Sequence, residues 1–107
     1  MSDGDLDLGR FAEPSLYILV SLSGGPKHGY AIMADVESIT GMAMGPGTLY
    51  GALARLERRG LIEPLDPVER RRPYRLTALG ETTVRAQLEL LAGFTKAGLA
   101  RLREPGS

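Results

Sequence analysis

Residues 45–80 read GPGTLYGALARLERRGLIEPLDPVERRRPYRLTALG, and this stretch decides the fold. Its first half places Leu49, Leu53 and Leu56 at positions i, i+4 and i+7, which lie on one face of an α-helix. We therefore predict an amphipathic helix over residues 48–59 that packs on the rest of the protein through these leucines.

The face opposite the leucines is predicted to be small and cationic. At about 100° per residue it carries Gly51, Ala54, Arg55 and Arg58, with Thr48 and Tyr50 on its flanks. Small residues let a helix approach DNA closely, and arginine bonds phosphate oxygens or guanine O6 and N7. Thr48 is expected to cap the helix or to contact a phosphate at its positive end. Arginines on an ordinary solvated helix face are the alternative.

The second half of the stretch is predicted to form two strands joined by a basic turn. Residues 61–65 give a short apolar run, and residues 74–76 alternate between apolar and polar. A turn is predicted at residues 66–68, followed by Arg70, Arg71 and Arg72. Between residues 55 and 75, seven arginines stand against four acidic residues, a net charge of +3 in a chain whose formal net charge is zero. Such a hairpin can contact a minor groove or neutralise phosphates, although a solvated hairpin with charged edges is the alternative.

Short motifs follow one another along the chain in a fixed order. They are His28-Gly29-Tyr30, Gly45-Pro46-Gly47-Thr48-Leu49-Tyr50, Leu53 with Arg55-Leu56-Glu57, Gly60-Leu61-Ile62, Tyr74-Arg75-Leu76-Thr77 and Leu79-Gly80. In this order and approximate spacing, over residues 15–80, the chain resembles the PadR-like family of bacterial winged-helix transcriptional regulators. The resemblance implies a sequence-specific DNA-binding regulator, and it alone favours repression and release by an effector.

Two departures from the family pattern are visible. Gly51 stands where the family usually has proline, which predicts a straighter helix. The predicted hairpin tip is rich in arginine and short of glycine, so its DNA contacts differ in detail from the family pattern.

The residues expected to contact DNA lie on three segments. The predicted third helix contributes Thr48, Tyr50, Gly51, Arg55 and Arg58, the hairpin contributes Arg70, Arg71 and Arg72, and Lys27 with His28 are expected to anchor the DNA backbone. His28 is the only histidine of the chain, and it is alternatively a helix-start or packing residue. A lone histidine cannot form a metal site.

The fold expected from these segments is mainly α, with a small two-stranded β wing. Pro14 fits the first position of a buried helix that ends at residues 24–26. A second helix is predicted over residues 29–39, with Tyr30, Met33 and Val36 along one side and Gly41 at its end. Residues 14–77 then form one winged helix-turn-helix domain, preceded by an acidic arm over residues 1–13.

One long helix is predicted over residues 78–103, before a short tail over residues 105–107. Its apolar stripe comprises Val84, Leu88, Leu91, Phe94 and Leu102. At ~1.5 Å per residue it reaches nearly 40 Å, too long for the small domain to cover. The resemblance places the family's dimerisation helix here. We expect a homodimer whose recognition helices read two half-sites about 34 Å apart in a palindromic operator. A helix folded back over the first helix is the alternative.

Composition excludes several classes of protein. The chain has 107 residues, 43% of them hydrophobic, enough for one domain. Cysteine is absent, which excludes disulfides and thiolate metal sites and is compatible with the reducing cytoplasm, where we expect the protein. No apolar run is long enough to span a membrane, and the acidic start does not resemble a secretory signal. We expect no enzyme activity and no cofactor or metal.

Two other functions remain open at this stage. The same fold could act as a protein-interaction module whose third helix and hairpin bind an acidic partner. The dimer could instead capture a planar or apolar small molecule, as some members of the resembled family do between their first and last helices. The residues expected to line such an effector pocket are Phe11, Tyr17, Leu91 and Phe94, which core packing explains equally well.

Overall fold

A computed structural model describes residues 14–104 and is mainly helical, as predicted. In chain order its elements are α1 (Pro14–Leu22), β1 (Lys27–His28), α2 (Gly29–Thr40), α3 (Pro46–Arg58), β2 (Ile62–Pro64), β3 (Pro73–Leu76) and α4 (Ala78–Arg103). The acidic arm, including Phe11, and the tail over residues 105–107 lie outside the described residues.

The core lies where α1, α2 and α3 meet the sheet and the start of α4. The leucine stripe of α3 is buried as predicted, since Leu49, Leu53 and Leu56 are at most 1% exposed. Burial of a side chain of this size stabilises the fold by about 1.5–3 kcal/mol. The other buried apolar side chains of this core are Ile18, Leu19, Leu22, Ile32, Val36, Ala52, Leu61, Ile62 and Val84.

The start of α3 differs from the prediction. The helix begins at Pro46, two residues before the predicted start, and Gly45 is its extended N-cap residue. Proline suits this first position because its fixed φ is helical and its missing N–H would have no partner there. Thr48 therefore lies inside the first turn, and the prediction that it caps the helix is wrong.

Helix α2 packs on the core through part of the side predicted to be apolar. Its buried side chains include Ile32 and Val36, whereas Tyr30 is 68% exposed. Val36 and the partly buried Met33 belong to the predicted side, and Ile32 completes the face that packs on the core. The predicted stop is confirmed, because Gly41 adopts the left-handed conformation and donates its N–H to Glu37 O.

The sheet has three strands in the order β1-β3-β2, not two. Both pairings are antiparallel, and β1 joins the second edge of β3 by pairing Lys27 with Tyr74 and His28 with Pro73. A strand of two residues is too short to show an alternating pattern and therefore could not be predicted. This strand brings the start of α2 beside the wing.

The wing turns at Glu69 and Arg70 rather than at the predicted residues 66–68. Val68 and Arg71 exchange both backbone hydrogen bonds, at 2.7 and 2.9 Å. Both turn residues have positive φ, 51° for Glu69 and 68° for Arg70, as in a two-residue type I′ hairpin. Asparagine and glycine are the usual residues of this turn, which is why a Glu-Arg pair did not predict it.

Helix α4 spans the predicted residues and is fixed to the domain at its start. The Thr77 side chain accepts from Gly80 N–H at 3.0 Å and donates to Gly60 O at 2.6 Å. Gly80 lies so close to the Leu61 carbonyl that a Cβ at position 80 would overlap it.

Val84 is 3% exposed within its own domain, so the prediction that it belongs to a dimer interface is wrong. Residues 85–99 are all exposed.

Candidate nucleic-acid interface

The outer face of α3 has the predicted small and cationic surface. Thr48, Gly51 and Ala54 are exposed, and Tyr50 is 52% exposed. Arg55 and Arg58 are also exposed, and neither forms a salt bridge with another residue of the described chain. This face therefore presents two guanidinium groups beside small residues that allow close approach.

A cleft of about 230 Å³ separates this face from the wing. It is lined by His28, Gly29, Tyr30, Tyr50, Arg70, Arg71, Arg72 and Tyr74. The structure therefore brings together the predicted residues His28, Tyr50 and the three wing arginines, which come from three separate segments. The predicted residues Lys27, Thr48, Gly51, Arg55 and Arg58 do not line this cleft.

Lys27 is engaged within the protein. Its amino group donates to the Ser21 carbonyl and lies 3.9 Å from Asp35 Oδ2. Ser21, which is buried, donates its hydroxyl to the same Asp35 oxygen at 2.7 Å. This network joins α1, β1 and α2, and the contact of Lys27 with DNA stays a prediction.

His28 lies between α2 and the wing. Its Nδ1 accepts from the Ala31 backbone N–H at 3.3 Å, which makes His28 the N-cap residue of α2. Its Nε2 lies 3.4 Å from Arg71 Nη1, and the Arg71 guanidinium carbon lies 5.8 Å from the centre of the Tyr30 ring. The latter is a cation–π distance. The alternative that His28 is a helix-start residue is thus correct, and Arg71 of the wing lies beside it.

Arg70 and Arg72 of the wing and Arg75 of β3 differ in their contacts. Arg72 donates to Leu65 O at 3.0 Å across the base of the hairpin. Arg75 donates to Glu63 Oε2 at 2.8 Å on directly paired strand positions, so its charge is balanced within the sheet. Arg70, at the turn, makes no hydrogen bond or salt bridge to another residue of the part that the structure describes.

Two tyrosines of the cleft were not among the predicted site residues. Tyr30 and Tyr74 line it beside Tyr50. Burial raises the pKa of the Tyr74 hydroxyl above its usual 10.0, with a further increase from Glu57 and Tyr50 and an opposing effect of Arg72. Tyr74 is therefore a neutral hydroxyl at physiological pH. The Tyr-Arg-Leu-Thr motif could have marked Tyr74 as a candidate site residue. Only the pairing of β1 with β3 shows that Tyr74 lies beside the strand that contains His28.

The remaining apolar stripe of α4 is exposed. Leu88 and Leu91 are about 40% exposed, and Phe94 and Leu102 are exposed further, at 77% and 85%.

The predicted effector pocket is not formed as expected. Tyr17 lines an apolar cleft of about 250 Å³ together with Leu16, Val20, Val36, Ile39, Thr40 and Leu88, whereas Leu91 and Phe94 do not line it.

Three packed helices, a small antiparallel sheet and an arginine-tipped wing beside a basic recognition helix define a winged helix-turn-helix DNA-binding protein. The model of the Transcriptional regulator PadR-like family matches residues 18–86. The chain therefore belongs to this family of transcriptional regulators.

Several known proteins are similar to this chain. The chain is 42% identical over 83 residues, 78% of its length, to an uncharacterized 37.1 kDa protein in transposon TN4556 of Streptomyces fradiae, of which the match covers 24%. A transcriptional regulator from Clostridium thermocellum is similar in structure, with a TM-score of 0.73, 29% identity and coverage of 92% of this chain and 99% of that one. A PadR family transcription regulator from Clostridium difficile gives a TM-score of 0.71 at 25% identity, covering 82% and 96% of the two chains.

None of the helices in residues 14–104 combines the length and the apolar character that a membrane span requires.

Proposed function

We propose that this protein is a homodimeric repressor that binds a palindromic operator and is released by a small apolar or aromatic effector. The observation that carries the proposal is that α3 exposes two unpaired arginines, Arg55 and Arg58, while Tyr50 of the same helix lines one cleft with the wing arginines. A helix and a hairpin presented together can engage one major groove and the sugar–phosphate backbone beside it.

Within this proposal, α3 reads the bases. Arg55 and Arg58 are one helical turn apart and bond base edges or phosphates, while Gly51 and Ala54 let the helix backbone approach the groove. Thr48 and Tyr50 lie near its amino end, where the helix dipole favours a phosphate. The wing arginines neutralise neighbouring phosphates and release counterions.

The dimer is proposed to form through the exposed stripe of α4. Leu88, Leu91 and Phe94 follow one another at three-residue steps, and Leu102 lies on the same side of the helix eight residues later. An apolar stripe on one face of a long helix is typical of helix pairing. A second copy of α4 would cover this stripe and relate the two α3 helices by a two-fold axis. Operator half-sites then follow the same symmetry, about 34 Å or a multiple of the helical repeat apart.

The effector is proposed to bind near the apolar cleft beside Tyr17 and Leu88. The cleft lies where α1 and α2 meet α4, so a ligand there would contact both the DNA-binding domain and the dimerisation helix. Its volume of about 250 Å³ is just below the ~300–1,000 Å³ of typical ligand sites, and a second α4 would enclose it further.

The experiment that tests the proposal is selection of bound fragments from the source genome, followed by mobility-shift titration of the selected duplex. We expect a two-fold symmetric site, and a dimer in analytical ultracentrifugation. Arg55→Ala and Arg58→Ala should weaken binding by ~1 to 3 kcal/mol per lost base contact. The matched control is Arg85→Ala, because Arg85 lies on α4 and pairs with Glu81 at 3.1 Å.

Two results would contradict the proposal. One is a monomer that fails to bind any duplex in dilute buffer. The other is operator affinity that responds equally to loss of Arg85 and to loss of Arg55 or Arg58. Repression is tested separately, because deletion of the gene should raise transcription from the selected operator, and an activator would lower it.

A further inference from the structure

We propose that His28 and Arg71 together form a phosphate-binding notch between the start of α2 and the wing. The proposal rests on the proposed function, since it assigns the anion to the DNA backbone. It goes beyond the prediction that each residue contacts DNA, because it states that both bind the same phosphate and that His28 does so as a neutral donor.

The first step concerns the tautomer of His28. A neutral imidazole has one N–H donor and one acceptor nitrogen. Nδ1 faces the backbone N–H of Ala31 at 3.3 Å, and a peptide N–H can only donate. Because Ala31 lies in the first turn of α2, its N–H has no carbonyl partner within the helix. Nδ1 is therefore the acceptor, and the proton lies on Nε2.

The second step concerns Arg71, whose guanidinium group has only donors and stays charged. Its Nη1 lies 3.4 Å from His28 Nε2, and the role of that nitrogen depends on the tautomer of the ring. With the proton on Nε2, two donors face each other and no acceptor lies between them. A phosphate oxygen would accept from both, and its negative charge would balance the guanidinium.

The third step concerns what holds the two donors in place. His28 is fixed by its cap on α2 and by its pairing with Pro73 across β1 and β3. Arg71 is fixed by its two backbone bonds with Val68 and by the Tyr30 ring beneath its guanidinium. Donors held before the anion arrives lose less conformational entropy on binding.

The surroundings also suit a phosphate. Arg70 and Arg72 line the same cleft, which at about 230 Å³ corresponds to roughly eight water volumes of ~30 Å³ each. No acidic side chain among the described residues lines the cleft. The site is partly exposed, as a contact with the outside of a duplex requires.

The first test is a long-range proton–nitrogen NMR spectrum of the ring of His28, which is unambiguous because the chain has one histidine. We expect the Nε2–H tautomer in the free protein and a shift of Nε2 on addition of duplex at low salt. A spectrum of the Nδ1–H tautomer would overturn the proposal, because Nε2 would then accept from Arg71 and leave no site for an anion.

The second test uses duplex binding across salt concentrations. Arg71→Gln should make the plot of log K against log salt shallower by about 0.9 per subunit, the loss of one phosphate contact. His28→Ser keeps an N-cap side chain but removes the ring, and it should weaken binding about 3- to 10-fold per subunit. Arg85→Gln removes the same charge on α4 and should change neither quantity.

The outcomes separate this inference from the proposed function. Failure of wild-type protein to bind any duplex at low salt refutes the proposed function. Duplex binding that is unchanged by both Arg71→Gln and His28→Ser overturns the notch alone. Inorganic phosphate is the third probe, and saturation of the His28 signal by phosphate without a response to duplex would overturn its assignment to the DNA backbone.

Discussion

The ring of Tyr50 lies against Gly29, so closely that a Cβ at position 29 would be 2.7 Å from Tyr50 Oη and 3.2 Å from Leu49 Cδ2. The first residue of α2 is thus packed against the exposed face of α3. Glycine is needed here because of this close approach, since Gly29 is not among the glycines of positive φ. The contact fixes where one flank of the recognition surface lies.

Substitution of Gly29 by alanine should displace Tyr50 and weaken duplex binding. Because the Tyr50 ring is half-exposed and can move, we expect the free energy of unfolding to fall by only about 1 kcal/mol, the lower end of the overpacking range. Urea denaturation and mobility-shift titration measure the two effects. The control is Gly93→Ala on α4, where an added Cβ meets nothing within 4 Å. An unchanged affinity of Gly29→Ala would show that Tyr50 does not contribute to binding.

Substitution of Gly51 by alanine should raise stability and lower DNA affinity together. Gly51 lies in the middle of α3 and is exposed to solvent. The nearest atom to an added Cβ is Arg55 Nη1 at 3.8 Å. Removal of a helical glycine should stabilise the fold by about 0.5–1 kcal/mol. The added methyl group lies on the face proposed to enter the groove. Gly93→Ala should give the stability gain alone, and an equal affinity of both variants would place Gly51 away from the DNA.

Substitution of Glu69 by asparagine should stabilise the wing. Its φ of 51° costs a side chain such as glutamate about 1 kcal/mol, whereas asparagine tolerates this conformation. We expect a gain of about 0.5–1 kcal/mol in the free energy of unfolding, measured by urea denaturation. Asp66→Asn removes the same negative charge from the same hairpin at a residue without positive φ. If both variants gain equally, charge rather than backbone conformation is the cause.

Substitution of Leu91 by glutamate should dissociate the proposed dimer without unfolding the domain. Leu91 is partly exposed on α4, and a glutamate in an apolar helix interface costs on the order of several kcal/mol. Sedimentation measures the mass, and circular dichroism measures the helix content. Ala86→Glu places the same charge about 140° around α4 from Leu91 and should leave the dimer intact. A monomeric wild-type protein, or a dimer that survives Leu91→Glu, would exclude this interface.

The presence and approximate extent of the helices could be predicted from sequence because their signals are local. The bounds of α4 follow from Thr77 at its start and from the apolar stripe between Val84 and Leu102. The buried face of α3 follows from its three leucines. The limit of this reasoning is Val84. It continues the same stripe as Leu88 and Leu91, although Val84 is buried in its own domain and the two leucines are exposed. Periodicity cannot show at which residue α4 extends beyond the domain core.

The geometry of the site depends on long-range pairing and could not be predicted in the same way. His28 and Arg71 are 43 residues apart in sequence and meet because a two-residue strand pairs with β3. Likewise, the turn at Glu69 and Arg70 is imposed by the pairing of Val68 with Arg71, against the local preference of both turn residues. Residue types identified the candidates, but only the fold shows which of them share one cleft.

The junction of Thr77, Gly80 and Leu61 has a mechanical consequence. Because α4 is bonded and packed there against the segment that directly follows α3, the two helices cannot turn independently at that point. In the proposed dimer each α4 would move together with its own α3 as one rigid unit. A small change in the angle between the two α4 helices would therefore produce a larger displacement of the two α3 helices. The distance between the two groove-reading helices would thus depend on an angle that is set away from the duplex.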